Sequence, residues 1–160
     1  KAAATIHGRV VELGGNGRFP RPEALLELPE ASLRAAGLSR AKAIAVRDLA
    51  ERVCDGRLAL NGIHRLDDER VVERLTEVRG IGRWSAEMFL MFHLGRLDVM
   101  PVGDLGVQEG LRLLDGLDER PSPDEVATRA EAWRPLCSVA SWVLWRLVDE
   151  AREAGPRTTR

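Results

Sequence analysis

Leu75-Thr76-Glu77-Val78-Arg79-Gly80-Ile81-Gly82-Arg83-Trp84-Ser85-Ala86, read with the later Met100-Pro101-Val102-Gly103-Asp104, is the stretch that decides the fold. Upstream, Val71, Val72 and Leu75 recur on one face of a helical pattern that starts at Asp67; downstream, a second helix runs from Gly82 to about Leu94. Between them, in hairpin residues 76–81, Gly80 and Gly82 flank Ile81. Amides at a helix start have no intrahelical partner and lie at the positive end of the helix dipole, so this turn can hold a phosphate without a lysine. Glycine also lets a nucleic-acid backbone approach closely. A plain glycine-containing helix–helix turn has the same spacing, and the hairpin alone does not separate the two readings.

Working outward, glycine, proline and capping residues punctuate the rest of the chain into helices. Residues 1 to about 13 form the first and Gly14-Gly15-Asn16-Gly17 stops it. Pro22 opens a short helix to about Leu28, and another runs from Pro29 to Ala36. Ser39 caps a longer helix to about Cys54, with Val46, Leu49, Ala50 and Val53 on its buried face. Met88-Phe89-Leu90-Met91-Phe92 is apolar all round, which marks a helix buried on most sides. Residues 95–103 are a loop; Asp104 caps a helix to Leu114, Ser122 caps one to about Trp133, and Pro135 opens a last helix to about Glu153. Leu136, Val139, Ala140, Val143 and Leu147 form the expected core stripe of that helix, with Trp142 and Trp145 on its flank. No stretch alternates with period two, so the fold class is all-α with eight or nine helices, in one domain over residues 1–154 and a flexible tail at 155–160. The chain starts at Lys1, without methionine and inside a helical pattern, so residues before it are expected.

Composition narrows the chemistry. Hydrophobic content of 44% with 31% charge is that of a soluble globular protein, and no apolar run is long enough for a membrane span. A net charge of −1 means that any DNA affinity must come from local geometry. Cys54 and Cys137 both fall in helical patterns as buried thiols; two cysteines cannot ligate a four-cysteine iron–sulfur cluster, and His7, His64 and His93 lack metal-ligand spacing. The 24 basic residues include only two lysines, Lys1 and Lys42.

The hairpin Val78–Ala86, the segment Pro101-Val102-Gly103-Asp104-Leu105-Gly106, residues 36–43 and Ala132-Trp133-Arg134-Pro135 leading to Trp145 together resemble the helix-hairpin-helix DNA glycosylase superfamily. Within it the likeness is nearest to the alkylation-repair branch of AlkA-type 3-methyladenine DNA glycosylases II. The resemblance implies that Asp104 is the essential carboxylate and that amides of Gly80, Gly82, Ser85 and Ala86 hold phosphate. It also implies that the carbonyls of Thr76, Val78 and Ile81 bind a sodium or potassium ion, and that Trp84, Met88 and Trp145 line a base pocket. It places the residue that fills the gap left by a flipped base in a loop before Lys1. Members that also cut the strand carry a catalytic lysine where this chain has Trp84, and tryptophan cannot form a Schiff base. The implied reaction is therefore hydrolysis of the N-glycosidic bond of alkylated purines such as 3-methyladenine in duplex DNA, leaving an abasic site.

A carboxylate held against the sugar stabilises the positive charge of that transition state or acts on a water. Asp104 as a plain helix cap is the rival reading, and the two roles can coexist. An aromatic pocket suits a flipped cationic base, while the same tryptophans and Met88 also suit a packed core. A non-catalytic DNA-binding hairpin module, or a glycosylase for another lesion, is the alternative. The expected partner is double-stranded DNA with alkylated bases, contacted by a monomer with no required cofactor and no membrane, in a bacterial cytoplasm or a nucleus.

Overall fold

The computed structural model describes residues 2–155; Lys1 and all of the expected tail after Gly155 lie outside the described residues. Among the described residues nine α-helices and no strands are present, as the sequence leads one to expect: α1 (Ala2–Leu13), α2 (Pro22–Glu27), α3 (Glu30–Ala35), α4 (Arg40–Cys54), α5 (Asp68–Thr76), α6 (Arg83–Phe92), α7 (Leu105–Asp115), α8 (Pro123–Ala130) and α9 (Cys137–Ala154). The 3₁₀ turn Ile63–Arg65 was not signalled by any hydrophobic period, and Glu131–Trp133, expected as the end of the helix from Ser122, is a second 3₁₀ turn after α8. The helix starts follow side-chain chemistry. Ser39, Asp67, Asp104 and Ser122 each accept a hydrogen bond from the backbone N–H three residues on, and Ser122 with Glu125 completes a reciprocal capping box.

The described residues form two compact units, divided between Ala86 and Glu87 inside α6. The first unit has a core of Val10, Leu25, Leu33, Ala36, Leu38, Ala43 and Ala50. Arg47 of α4 donates to the carbonyls of Leu28 (2.7 Å) and Leu26 (3.3 Å), satisfying orphan groups at the C-terminal end of α2. The second unit is centred on Val107, Leu111, Val126 and Leu144, contributed by α7, α8 and α9.

Four sequence expectations are corrected. The buried face of α9 is Cys137, Ser138, Ser141, Leu144 and Val148, whereas Leu136, Val139 and Val143 of the expected stripe are about half exposed, and so is Trp142. Small residues win because the neighbours come close. Ser138 Oγ donates to the Arg96 carbonyl (2.8 Å) and accepts from Val99 N–H (3.0 Å), and a Cβ on Gly110 of α7 would stand 2.5 Å from the Leu144 carbonyl oxygen. Pro135 follows a cis peptide and does not open α9, because Leu136 is still non-helical (φ −121°, ψ 31°). Finally, Cys54 is exposed at the end of α4, and α6 is less enclosed than its composition implies: Leu90 and Met91 are buried, Met88 and Phe89 half-buried, and Phe92 is 62% exposed.

Candidate active site

In the second unit, Asp104 caps α7 and its Oδ1 accepts two hydrogen bonds, from Val107 N–H (2.8 Å) and from Trp145 Nε1 on α9 (2.8 Å). A helix cap alone would use the first bond; the indole donor is an additional tie, from 41 residues away, that fixes the plane of the carboxylate. The helix N-terminus favours negative charge at the same point.

The loop that delivers Asp104 is laced down along its length. Asp98 accepts from Arg134 Nη1 (2.7 Å) and Cys137 N–H (3.4 Å), Ser138 N–H bonds the Leu97 carbonyl (2.9 Å), Gln108 Nε2 bonds the Val102 carbonyl (3.0 Å), and Asp104 N–H bonds the Pro101 carbonyl (2.9 Å). Hydrogen bonds from Cys137, outweighing the cost of burial, with help from Arg134, hold the Asp98 carboxyl below its ordinary value. Burial, aided by the nearby Asp98 carboxylate, pushes the Cys137 thiol up to about 11. Cys137 is therefore a packing residue at neutral pH, not a nucleophile.

Trp145 is half-buried, and Phe92 stacks on it with ring centroids 6.0 Å apart and planes 23° apart. Trp84, Met88 and Phe92 follow one another at four-residue spacing on a single face of α6. Trp84, for which the sequence offered a base pocket or a packed core, is 51% exposed. Phe92 and Gly106 carry roles that motif reading did not assign. A Cβ at Gly106 would lie 2.8 Å from Trp145 Cδ1 and 3.0 Å from Asp104 Oδ1, so only glycine leaves room for the carboxylate–indole pair. The four-residue period from Trp84 could have revealed Phe92; nothing local could have revealed Gly106.

In the first unit, the hairpin closes on hydrogen bonds from Val78 N–H to the Leu75 carbonyl (3.1 Å) and from Ile81 N–H to the Val78 carbonyl (3.0 Å), with Gly80 at φ +82°. That positive φ is a conformation side-chain-bearing residues avoid, and a Cβ there would approach Ala45 Cβ at 3.2 Å. Asp48 of α4 holds the turn from outside: its Oδ2 accepts from Arg79 N–H (2.7 Å) and from Arg52 Nε (2.9 Å). The Arg79 amide, then Arg52, hold the Asp48 carboxyl below its ordinary value against a burial cost. Arg83 forms an ion pair with Glu69, joining the helices on either side of the turn.

Gly80, Gly82, Ser85 and Ala86 thus cluster with Thr76, Val78 and Ile81 at one turn. The amide of Ala86 bonds the Gly82 carbonyl (3.2 Å), so the leading N–H groups of α6, including those of Gly82 and Ser85, precede its hydrogen-bonded ladder while Ala86 belongs to it.

Comparison with known proteins places the chain in a family. The model of a family described as HhH-GPD superfamily base excision DNA repair protein matches residues 1–135. DNA-3-methyladenine glycosylase 1 of Schizosaccharomyces pombe is 36% identical over 161 aligned residues, covering 98% of this chain and 71% of that protein. The solved structure of a Schizosaccharomyces pombe 3-methyladenine DNA glycosylase in complex with abasic DNA superposes with a TM-score of 0.84 at 36% identity, over 90% of this chain and 70% of that one. A DNA-3-methyladenine glycosidase of Bacillus halodurans gives 0.79 at 40% identity, over 94% and 71%. With one family model matching residues 1–135, well over half of its length, the chain belongs to the HhH-GPD superfamily of base excision DNA repair proteins.

Proposed function

We propose that the chain is a monofunctional DNA glycosylase that hydrolyses the N-glycosidic bond of alkylated purines, 3-methyladenine among them, in duplex DNA. The observation that carries this reading is the Asp104 carboxylate, held by Trp145 Nε1 and the first turn of α7. The names of the relatives support the substrate class, and the AlkA-like motifs support a type II specificity. The C1′–N bond breaks with its electron pair going to the cationic base, which leaves neutral. The positive charge that develops on the deoxyribose faces Asp104, and water adds to C1′, its proton passing to Asp104 or to solvent. Because an alkylated base is already an activated leaving group, no strong general acid is needed.

Trp145 with Phe92 stacked on it offers the aromatic surface for a cationic base, and Met88 lies on the helix face that carries Phe92. The assignment of Trp84 to the base rests on the family motif. Amides of Gly80, Gly82 and Ser85 are assigned to phosphate, with Ala86 in a supporting place inside the helix. The carbonyls of Thr76, Val78 and Ile81 would hold the monovalent cation: neutral oxygens suit a hard ion of single charge, and the Val78 oxygen keeps a second lone pair beside its bond to Ile81. Such an ion would supply positive charge for a DNA phosphate. Double-stranded DNA is the proposed partner, a monomer the proposed assembly, and the nucleoid or nucleus the proposed place.

The test is release of 3-methyladenine from methylated duplex DNA. Asp104→Asn keeps the size and one acceptor oxygen but not the charge, and is expected to lose about 100-fold or more in rate. Equal release by the two proteins would remove Asp104 from the chemistry; binding without release by the unaltered protein would favour the DNA-binding module or another lesion.

A further inference from the structure

Beside the Asp104–Trp145 pair, within the second unit, lies a cavity of about 540 Å³ lined by Leu105, Gly106, Glu109, Arg112, Arg120 and Arg152, among others. Gly106 is common to both places: it lines this cavity, and a Cβ on it would meet the Trp145 ring and Asp104 Oδ1. Three guanidinium groups stand here against one carboxylate. Arg112 is engaged: it bonds Glu109 through Nε (3.1 Å) and Nη2 (2.8 Å) and the Leu117 carbonyl through Nη1 (3.2 Å). Arg120 stands off at 3.6 Å from Glu109, half exposed, and Arg152 acts on the same carboxylate through its charge. The hydrogen bonds from Arg112, and then the charges of Arg112, Arg120 and Arg152, hold the Glu109 carboxyl below its ordinary value against burial, so all three guanidinium groups act on one small volume.

We propose that Arg120 and Arg152 form a second phosphate grip, which holds the DNA backbone beside the nucleotide whose sugar meets Asp104. In a chain of net charge −1, three guanidinium groups sharing one carboxylate at a polar cavity next to the reacting carboxylate are a local attraction that the average hides. A sugar placed at Asp104 carries a phosphodiester on each side, one backbone step away. Arg suits this task, since its planar fork meets two phosphate oxygens at once. The inference rests on the proposed function only in taking DNA as the ligand.

The experiment measures binding of the protein to a duplex containing a stable abasic-site analogue, by fluorescence anisotropy at several salt concentrations. Arg112 is left in place because it also ties down the Leu117 carbonyl. Arg120→Gln with Arg152→Gln is expected to weaken binding about tenfold and to reduce the slope of log affinity against log salt by about 1–2. Glu109→Gln, which removes the competing carboxylate, is expected to tighten binding. Arg57→Gln, at a guanidinium paired with Asp55 in the first unit, serves as the control for loss of bulk charge and is expected to change neither quantity. Unchanged affinity and slope in the double variant, or an equal loss in the control, would overturn the proposal. So would inorganic phosphate binding that the double variant abolishes while duplex binding stays intact, since the cavity would then take a small anion. Base release, scored separately, decides the glycosylase reading: it could fail while this grip stands, and the reverse.

Discussion

A methyl group at position 106 would press within 2.8 Å of the Trp145 ring and 3.0 Å of the Asp104 carboxylate, and this single hydrogen-for-methyl exchange tests the site without replacing its polar atoms. Gly106→Ala raises the intrinsic helix propensity of α7 by about 1 kcal/mol. Against that, the ring must shift, at a cost of about 1–3 kcal/mol. The expected outcome is a fall in base release well beyond any change in melting temperature; a fully active alanine variant would show that the Asp104–Trp145 geometry is not critical. The two cysteines give a second contrast at this scale. Cys54 is exposed and Cys137 is buried, its thiol pushed up to about 11. A thiol reagent under native conditions is expected to modify Cys54 alone, checked by mass spectrometry, with Cys137 reacting only after unfolding.

Among the elements, the hairpin depends on a residue outside it. Asp48 receives the Arg79 amide and the Arg52 guanidinium on one oxygen, and hydrogen bonds to a charged group are worth about 1.5–3 kcal/mol. Its folded carboxyl lies below the ordinary 3.8, so the contribution is fully present above that value and is lost as pH falls through the folded one. Asp48→Asn should therefore lower stability at neutral pH and flatten its decline in acid, which chemical unfolding at a series of pH values measures. An unchanged acid limb would assign that decline to other carboxylates. The close passage of α7 and α9 makes a second element-scale prediction. A Cβ on Gly110 would meet backbone and side-chain atoms of Leu144 at 2.5–2.8 Å, and neither helix can yield locally. Gly110→Ala is expected to destabilise the protein by about 1–3 kcal/mol in a denaturant melt, opposite in sign to the propensity gain.

For the whole molecule, charge and lysine content bear on the reaction. With Lys1 and Lys42 the only lysines and Trp84 in the place of a strand-cutting lysine, borohydride treatment with abasic duplex DNA is expected to trap no covalent complex and to leave the strand uncut. A trapped complex that disappears in Lys42→Arg would overturn the monofunctional assignment. Much of this was legible in the chain itself. The helix starts at Ser39, Asp67, Asp104 and Ser122, the turn at Gly80 and the all-helical class follow from capping, φ preference and apolar period, which act over a few residues. The burial of α9 did not follow from its period, because a face of Cys137, Ser138 and Ser141 is chosen by close neighbours rather than by hydrophobicity. The Asp48 grip on Arg79, the indole bond to Asp104 and the clearance at Gly106 join residues 31 to 41 positions apart, and the exposure of Trp84 and Phe92 depends on what the folded chain leaves uncovered. Local chemistry thus wrote the helices, the hairpin and the Asp104 cap into the sequence; only tertiary packing, which sums contacts between distant segments, decided which oxygen is held, by which indole and at what distance.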